Sequence, residues 1–396
     1  MPLEGIRALD LTTWQVGGAA TGFLADLGAD VIKIEDPVNG DPCRLMGSGG
    51  TKLDINPLIE ATSRNKRGMT LNLKSPQGRD VFYRMVRASD VVVENYRRGV
   101  PERLGVGYET LARHNPAIIL ASASGMGRRG PDADVGLFDI MGHARSGFMH
   151  LVADKERPLR YVGAYGIADQ TGGVYFALAI MTALIARSLH GVGQQVETSQ
   201  LAGLMNLQCL AIQYHLLGKP LEFPNREKNR NVLFNIYRAG DGKWLCLACP
   251  QEDRYWHDVC EALELQDIER DPRFAVASVR DNHAPELISL LDRAFAARPR
   301  DEWVSLLKAR NVNCSPVQDY DDLVQDPQVV ENDYLLEVEH PRAGRMRMAS
   351  VPVALGKTRP RFRRVAPEFG QHTEEVLEEY GYSWAEIEEF REAGVI

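Results

Sequence analysis

At 396 residues, 44% apolar and 25% charged, the chain is too long for one small core and too apolar for extended disorder, so it reads as a globular protein of two domains. Its 46 basic and 54 acidic residues leave a formal charge of −8, which removes the electrostatic case for nucleic acid or an anionic membrane as partner. The opening "MPLEGIRALDLT" has no basic segment followed by an apolar one, and apolar runs such as "VYFALAIMTALIA" (174–186) fall short of the ~20 residues of a bilayer span. Six scattered cysteines suit a reducing compartment, so a cytoplasmic location is expected.

In chain order, "IRALDLT" (6–12) and "ADVIKIE" (29–35) have the apolar continuity of buried parallel strands, and the helix-compatible "GAATGFLADLG" joins them into a βαβ unit. "GMTLNLK" (68–74) alternates as a strand. "SPQGRDVFYRMVRASD" follows as a helix with Ser75 as N-cap and Pro76 at its first turn, then the strand "VVVENY" (91–96). A short helical stretch, "PERLGVGYETLARHNP", leads to another buried strand, "AIILASASG" (117–125). Strands alternating with helices predict a mostly parallel sheet covered on both faces. A long apolar helix is expected over 172–191, buried in the domain or at a subunit contact, and "QQVETS" follows as a strand. Near residue 220 the polar "EFPNREKNRN" marks a linker. A hairpin turning at Asp241-Gly242 opens a smaller α+β domain, and residues 367–396 read as two amphipathic helices.

Three motifs carry possible chemistry. Gly125-x-Gly127-x-x-Gly130 matches a dinucleotide fingerprint, but Pro131 and "DADVG" follow where a helix is needed, so a Gly-rich loop beside a ligand is the better reading. Cys246-x-x-Cys249 with His257 and Cys260 can be drawn as a zinc set, yet residues three apart on a strand face opposite ways, so no metal is expected. Asp169, in "YGIADQTGG", precedes Thr-Gly-Gly either as a helix N-cap or as a catalytic carboxylate. The basic stretches "SRNKRG" (63–68) and "NYRRG" (95–99), with Arg103, fall at strand edges and would suit an anionic ligand bearing phosphates.

Taken together, "GIRALDLT", "LADLGADVIKIEDPVNGDPCR", "SRNKRGMTLNLKSPQGR", the long block from "DVVVENYRRG" to "SASGMGRRGP", "GVGQQVETS" and the closing "PEFGQHTEEVLEEYGYS" resemble the class III coenzyme A transferases, of the formyl-CoA and carnitine-CoA type. The resemblance implies a large Rossmann-like domain (1–220, completed by 331–396), a small α+β domain (221–330), and two subunits interlocked as rings. It implies CoA and acyl-CoA as substrates with no permanently bound cofactor, a carboxylic acid as second substrate, and a homodimer or heteromer. Gln15, Leu71, Lys74, Asn95, Tyr96 and Arg103 fall at CoA-lining positions, and Asp169 at that of the nucleophile. The implied reaction moves CoA from a donor such as succinyl-CoA to an acid through an aspartyl anhydride and an aspartyl-CoA thioester, with backbone N–H groups near Gly172-Gly173 as candidate oxyanion donors. The α-methylacyl-CoA racemases of the same family are the alternative enzyme. They need a His-Asp dyad where this chain has Phe138-Asp139, with His143 a turn further on. A CoA-binding partner subunit of a heteromeric transferase is the non-catalytic alternative. Arg44, Arg64, Arg128 and Arg129 suit a dicarboxylate acceptor; Trp14, Phe138 and Tyr165 suit an aromatic or apolar one.

Overall fold

A computed structural model describes residues 1–46, 55–153, 159, 161, 165–219 and 225–396. The larger of its two compact units comprises Met1–Ala153, Leu159–Leu221 and Asp333–Ile396. Its sheet has six parallel strands: β1 (Arg7–Asp10), β2 (Asp30–Glu35), β3 (Arg67–Thr70), β4 (Val91–Glu94), β5 (Ile119–Ser124) and β6 (Gln194–Ser199). Their order, β3-β2-β1-β4-β5-β6, is the doubly wound Rossmann-like one, and the expected α/β class with a mostly parallel sheet holds.

Alternation along the strands explains why both faces are covered. Leu9, Ile32 and Val92 pack into one apolar layer, whereas their neighbours Ala8, Val31, Val91 and Val93 pack into the other. The first layer is closed by α3 (Pro76–Arg87) and the C-terminal helices Thr373–Glu379 and Trp384–Glu392, through Phe82, Met85, Val376, Leu377 and Ile387. These C-terminal helices are tied to the sheet edge: His372 N donates to Gly68 O at 2.8 Å, and Arg67 pairs with Glu379 at 2.6 Å. The second layer is closed by α1 (Trp14–Asp26) and a helix spanning Ile167–His190.

Between them the chain forms α2 (Pro57–Ser63), then, after α3, α4 (Val100–Leu104), α5 (Tyr108–His114), α6 (Asp139–Arg145) and α7 (Phe148–Leu151); Ile167–His190 is α8, and α9 is Gln200–Leu207. The sequence places the start of α8 near Gly172, but it begins five residues earlier, because Gly166 takes the left-handed conformation (φ 80°) that turns the chain into the helix. At 24 residues, with a window of mean hydropathy 1.6, α8 is long and apolar enough to cross a membrane, against expectation. Its Phe176, Ala177, Ile180, Ala183 and Leu184 are spent on the sheet, as in a core helix.

The smaller unit, Glu222–Asn332, has its own core. Strands β7 (Ile236–Arg238), β8 (Trp244–Leu247) and β9 (Cys314–Pro316) pair antiparallel, with Asp241 and Gly242 (φ 82°) in the β7–β8 turn. Phe295 stacks on Tyr237, and Trp303 Nε1 donates to Phe295 O at 2.7 Å. Cys249 and Cys260 are buried in this core, and among the described residues no three His, Cys, Asp or Glu converge on a metal position. A hairpin absent from the sequence reading, β10 (Leu335–His340) with β11 (Gly344–Ala349), lies in the larger unit.

Candidate functional site

Doubly wound sheets bind ligands beyond the strand C-termini where the strand order reverses, here between β1 and β4. A cavity of about 820 Å³ opens at that point, walled by Thr13–Val16 after β1, Asn95–Arg98 after β4, Ser124 and Gly125 after β5, and Asp169 on α8. A smaller cleft of about 300 Å³ runs past the ends of β2 and β3, and Thr13, Tyr96 and Val100 line both.

The loop after β1 is held tightly. Asn95 accepts from Thr13 N at 3.0 Å and donates to Thr13 O at 2.7 Å, which clamps that residue across the switch point. Trp14 then adopts φ 63°, an uncommon conformation for a bulky aromatic, with its N–H on Asp41 Oδ1 at 3.1 Å. Below the loop lies a buried ionic core. Lys66 Nζ donates to Asp10 Oδ2 (3.0 Å), Gly18 O (3.0 Å) and Thr21 Oγ1 (2.7 Å), and Lys33 Nζ donates to Asp41 Oδ2 (2.7 Å) and Thr12 O (3.0 Å). Burial alone would raise the Asp10 pKa, but Lys66 and Lys33 bring it down to about 2. Burial, with Lys33 nearby, lowers the Lys66 ammonium. The two shifts pull opposite ways on the pair, and its three oxygen acceptors make Lys66 the cation of an ionic contact.

Asp169 is the third residue of α8 rather than its cap; Gly166 holds the cap position. The capping carboxylate is Asp139, at the start of α6, whose Oδ1 accepts from Ala168 N at 2.6 Å and Asp169 N at 3.2 Å. Its Oδ2 accepts from Tyr161 Oη at 2.6 Å. The Gln200 amide, at the start of α9, donates to Asp169 Oδ1, and Oδ2 has no hydrogen bond among the described residues. Burial, followed by the neighbouring Asp139 charge, pushes the Asp169 pKa up to about 6 against the pull of Gln200. The result is a positioned carboxylate, more basic than an ordinary aspartate, on a cavity wall.

Of the residues named from the sequence, Gln15, Asn95, Tyr96 and Asp169 line the large cavity, and Leu71, Lys74 and Tyr96 line the small cleft. Arg103 is exposed on α4 and lines neither. Trp14 and Phe138 meet edge to face in the large cavity, at 5.7 Å between ring centroids, while Tyr165 points to solvent.

Several basic residues expected to face a ligand do not. Arg64 is spent on Asp26, Lys66 on Asp10, Arg67 on Asp30 and Glu379, and Arg44 on Glu35. Arg128 lines the cavity, yet is paired with Glu94 and Glu197; Arg129 is exposed away from it. Four of these cations lie against the buried carboxylates Asp26, Asp10, Glu35 and Glu94, so ion pairing takes them. Gly172 and Gly173 are also not oxyanion donors, because they sit inside α8, where the N–H of each is spent on the helix. Their lack of a side chain lets α1 approach: a Cβ on Gly173 would meet Ala19 Cβ at 2.7 Å. His143 is fully buried behind Asp139, its Nε2 3.4 Å from Asp139 Oδ2; neither ring nitrogen is hydrogen-bonded among the described residues, and the ring does not line the cavity.

The family model described as CoA-transferase family III matches residues 3–373. An acetyl-CoA:oxalate CoA-transferase of Acetobacter aceti is 31% identical, over 96% of both chains. A (R)-2-hydroxy-4-methylpentanoate CoA-transferase of Clostridioides difficile is 28% identical over the whole of both. The crystal structure of a CAIB/BAIF family protein from Brucella suis superposes with a TM-score of 0.86 at 26% identity, covering 96% of this chain and 99% of that one. With a doubly wound sheet, a cavity at its switch point and a match along nearly its whole length, this chain belongs to the CoA-transferase family III and is a CoA-transferase.

Proposed function

We propose that the chain transfers CoA from an acyl-CoA donor, succinyl-CoA in the first instance, to a carboxylic acid, with Asp169 as nucleophile. The observation that carries this reading is the raised, half-buried carboxylate of Asp169, oriented by Gln200 and aimed from a helix start into a cavity at the switch point. Asp169 attacks the thioester carbonyl carbon, forming a mixed anhydride and releasing CoA thiolate. The thiolate then attacks the Asp169 carboxyl carbon, freeing the donor acid and leaving an aspartyl-CoA thioester. The acceptor carboxylate attacks that thioester to give a second anhydride and thiolate, and thiolate attack on the new acyl group yields the product acyl-CoA and restores Asp169. A basic carboxylate favours the first attack.

Brief mixing with succinyl-CoA should add a CoA-sized mass to the wild type. Exchange of α-protons of a branched acyl-CoA with solvent, without an adduct, would replace this mechanism by the racemase one. Against that reaction, Phe138 stands where the racemases need a histidine, His143 is buried off the cavity wall, and Asp139, the second carboxylate on the wall, is engaged by the N–H groups of Ala168 and Asp169.

Asp139 has two roles in this reading, as cap and as negative charge. The acid limb of kcat/KM for the donor is expected near pH 6. Asp139→Asn keeps an oxygen for the cap and removes the charge, so it should move that limb to lower pH. Asp139→Ala should also cost about 1 kcal/mol of stability through the lost cap. An unmoved limb in the Asn variant would exclude the electrostatic role.

Self-association as an interlocked dimer belongs to the same reading. It is supported by the outer face of α8, where Val174, Leu178, Ile185 and Leu189 stand exposed. Light scattering should return twice the chain mass, and changing Leu178, Ile185 and Leu189 together to Ser should return the monomer; a wild-type monomer would refute it. The free cysteines support the cytoplasmic placement.

A further inference from the structure

Resting on the transferase reading, we propose that Asp36 neutralises Lys74, the one cation among the described residues that line the nucleotide cleft. The protein then gives the 3′-phosphate of CoA little hold and accepts dephospho-CoA thioesters nearly as well as CoA thioesters. Asp169 fixes the thioester end of the substrate in the large cavity. The nucleotide end falls in the smaller cleft, which continues from it past Thr13, Tyr96 and Val100.

The charges lining that cleft, among the described residues, are Glu35, Asp36, Asp41 and a lone cation, Lys74. Glu35 is bonded to Arg44 at 2.6 Å and Asp41 to Lys33 at 2.7 Å, so neither of those cations is free for a ligand. Lys74 Nζ donates to Asp36 Oδ2 at 2.9 Å.

Asp36 cannot easily turn away. Its Oδ1 accepts from Val38 N and Asn39 N, both at 3.0 Å, in the turn that ends at Gly40. Those bonds and Lys74 hold its carboxyl below the usual range, although burial acts the other way, so it is ionised at neutral pH. A dianionic phosphate reaching Lys74 must displace a fixed carboxylate and then sit beside it. The lining of the cleft therefore offers shape to the adenosine and no free cation to the 3′-phosphate; Arg79, held on the carbonyls of Leu73 and Lys74, and the exposed Arg103 stand outside that lining.

Calorimetric titration with free CoA and with dephospho-CoA tests this, whether or not turnover occurs. The wild type should discriminate between them by less than about 10-fold. Asp36→Asn retains the oxygen that accepts from Val38 and Asn39, so the turn survives. It should raise the preference for CoA by about 3- to 5-fold, and adding Lys74→Ala should cancel the gain. Discrimination above about 10-fold in the wild type, an unchanged preference in Asp36→Asn, or binding of neither compound would overturn the proposal. Binding of both without a covalent adduct from succinyl-CoA would sink the transferase mechanism alone and leave this inference standing.

Discussion

Asp169→Asn should lower CoA transfer by roughly 10⁴-fold or more, because covalent catalysis loses its nucleophile, while making the folded protein more stable at neutral pH. Both effects come from one environment. Burial and Asp139 hold the Asp169 carboxyl near 6, so ionising it at pH 7 costs more in the folded chain than in the unfolded one. A raised carboxyl pKa favours the folded state at low pH and loses that benefit as pH rises through the folded value. Asn removes the penalty and still accepts from Gln200. The gain should be about 2 kcal/mol at pH 7 and should vanish by about pH 4, where the unfolded carboxyl takes up its proton. Intact mass after mixing with succinyl-CoA, together with thermal melts at the two pH values, separates the outcomes. A CoA adduct on the Asn variant would remove Asp169 from the mechanism; equal melting temperatures at pH 7 would show that its environment does not disfavour the ionised carboxyl.

Lys66→Ala should cost about 3–5 kcal/mol, the largest stability loss expected from one substitution in this site region. Lys66 and Asp10 are both fully buried, and removing the ammonium leaves Asp10 ionised with Lys33 as its remaining cation. Thr21 and the Gly18 carbonyl lose their bond to Lys66 at the same time, which loosens the start of α1 beside Trp14. Urea unfolding of the larger unit should show the midpoint fall. Pairing Lys66→Met with Asp10→Leu should recover much of the loss, since an apolar pair avoids a buried lone charge. A loss below about 1 kcal/mol for Lys66→Ala would mean that the pair is not ionic. Wild-type Asp10, held at about 2, stabilises the fold above about pH 4, and that contribution fades as pH falls towards 2.

Short, nearly continuous apolar runs in "RALD", "DVIKIE" and "VVVE", with helical segments between, point to parallel strands buried on both faces, because a strand with one solvated face would alternate with polar residues. That pattern made the α/β class and the mostly parallel sheet legible; the Rossmann-like order and the convergence of Gln15, Asn95, Tyr96 and Asp169 were legible only through the resemblance carried by the order of the blocks. What sequence reasoning missed depends on partners far apart in the chain. Asp139 caps a helix thirty residues away, Gln200 reaches Asp169 from the next strand crossing, and Arg64, Lys66 and Arg67 turn inward to Asp26, Asp10 and Asp30. A charge run looks the same in sequence whether its members meet a ligand, solvent or a buried carboxylate. Only the tertiary structure brings the opposite charges within 3 Å and excludes the water that would otherwise screen them. The sequence by itself determined the strands and the layers, and through the family resemblance the carboxylate proposed as nucleophile; packing decided the environment of that carboxylate and which cations are taken up by buried carboxylates.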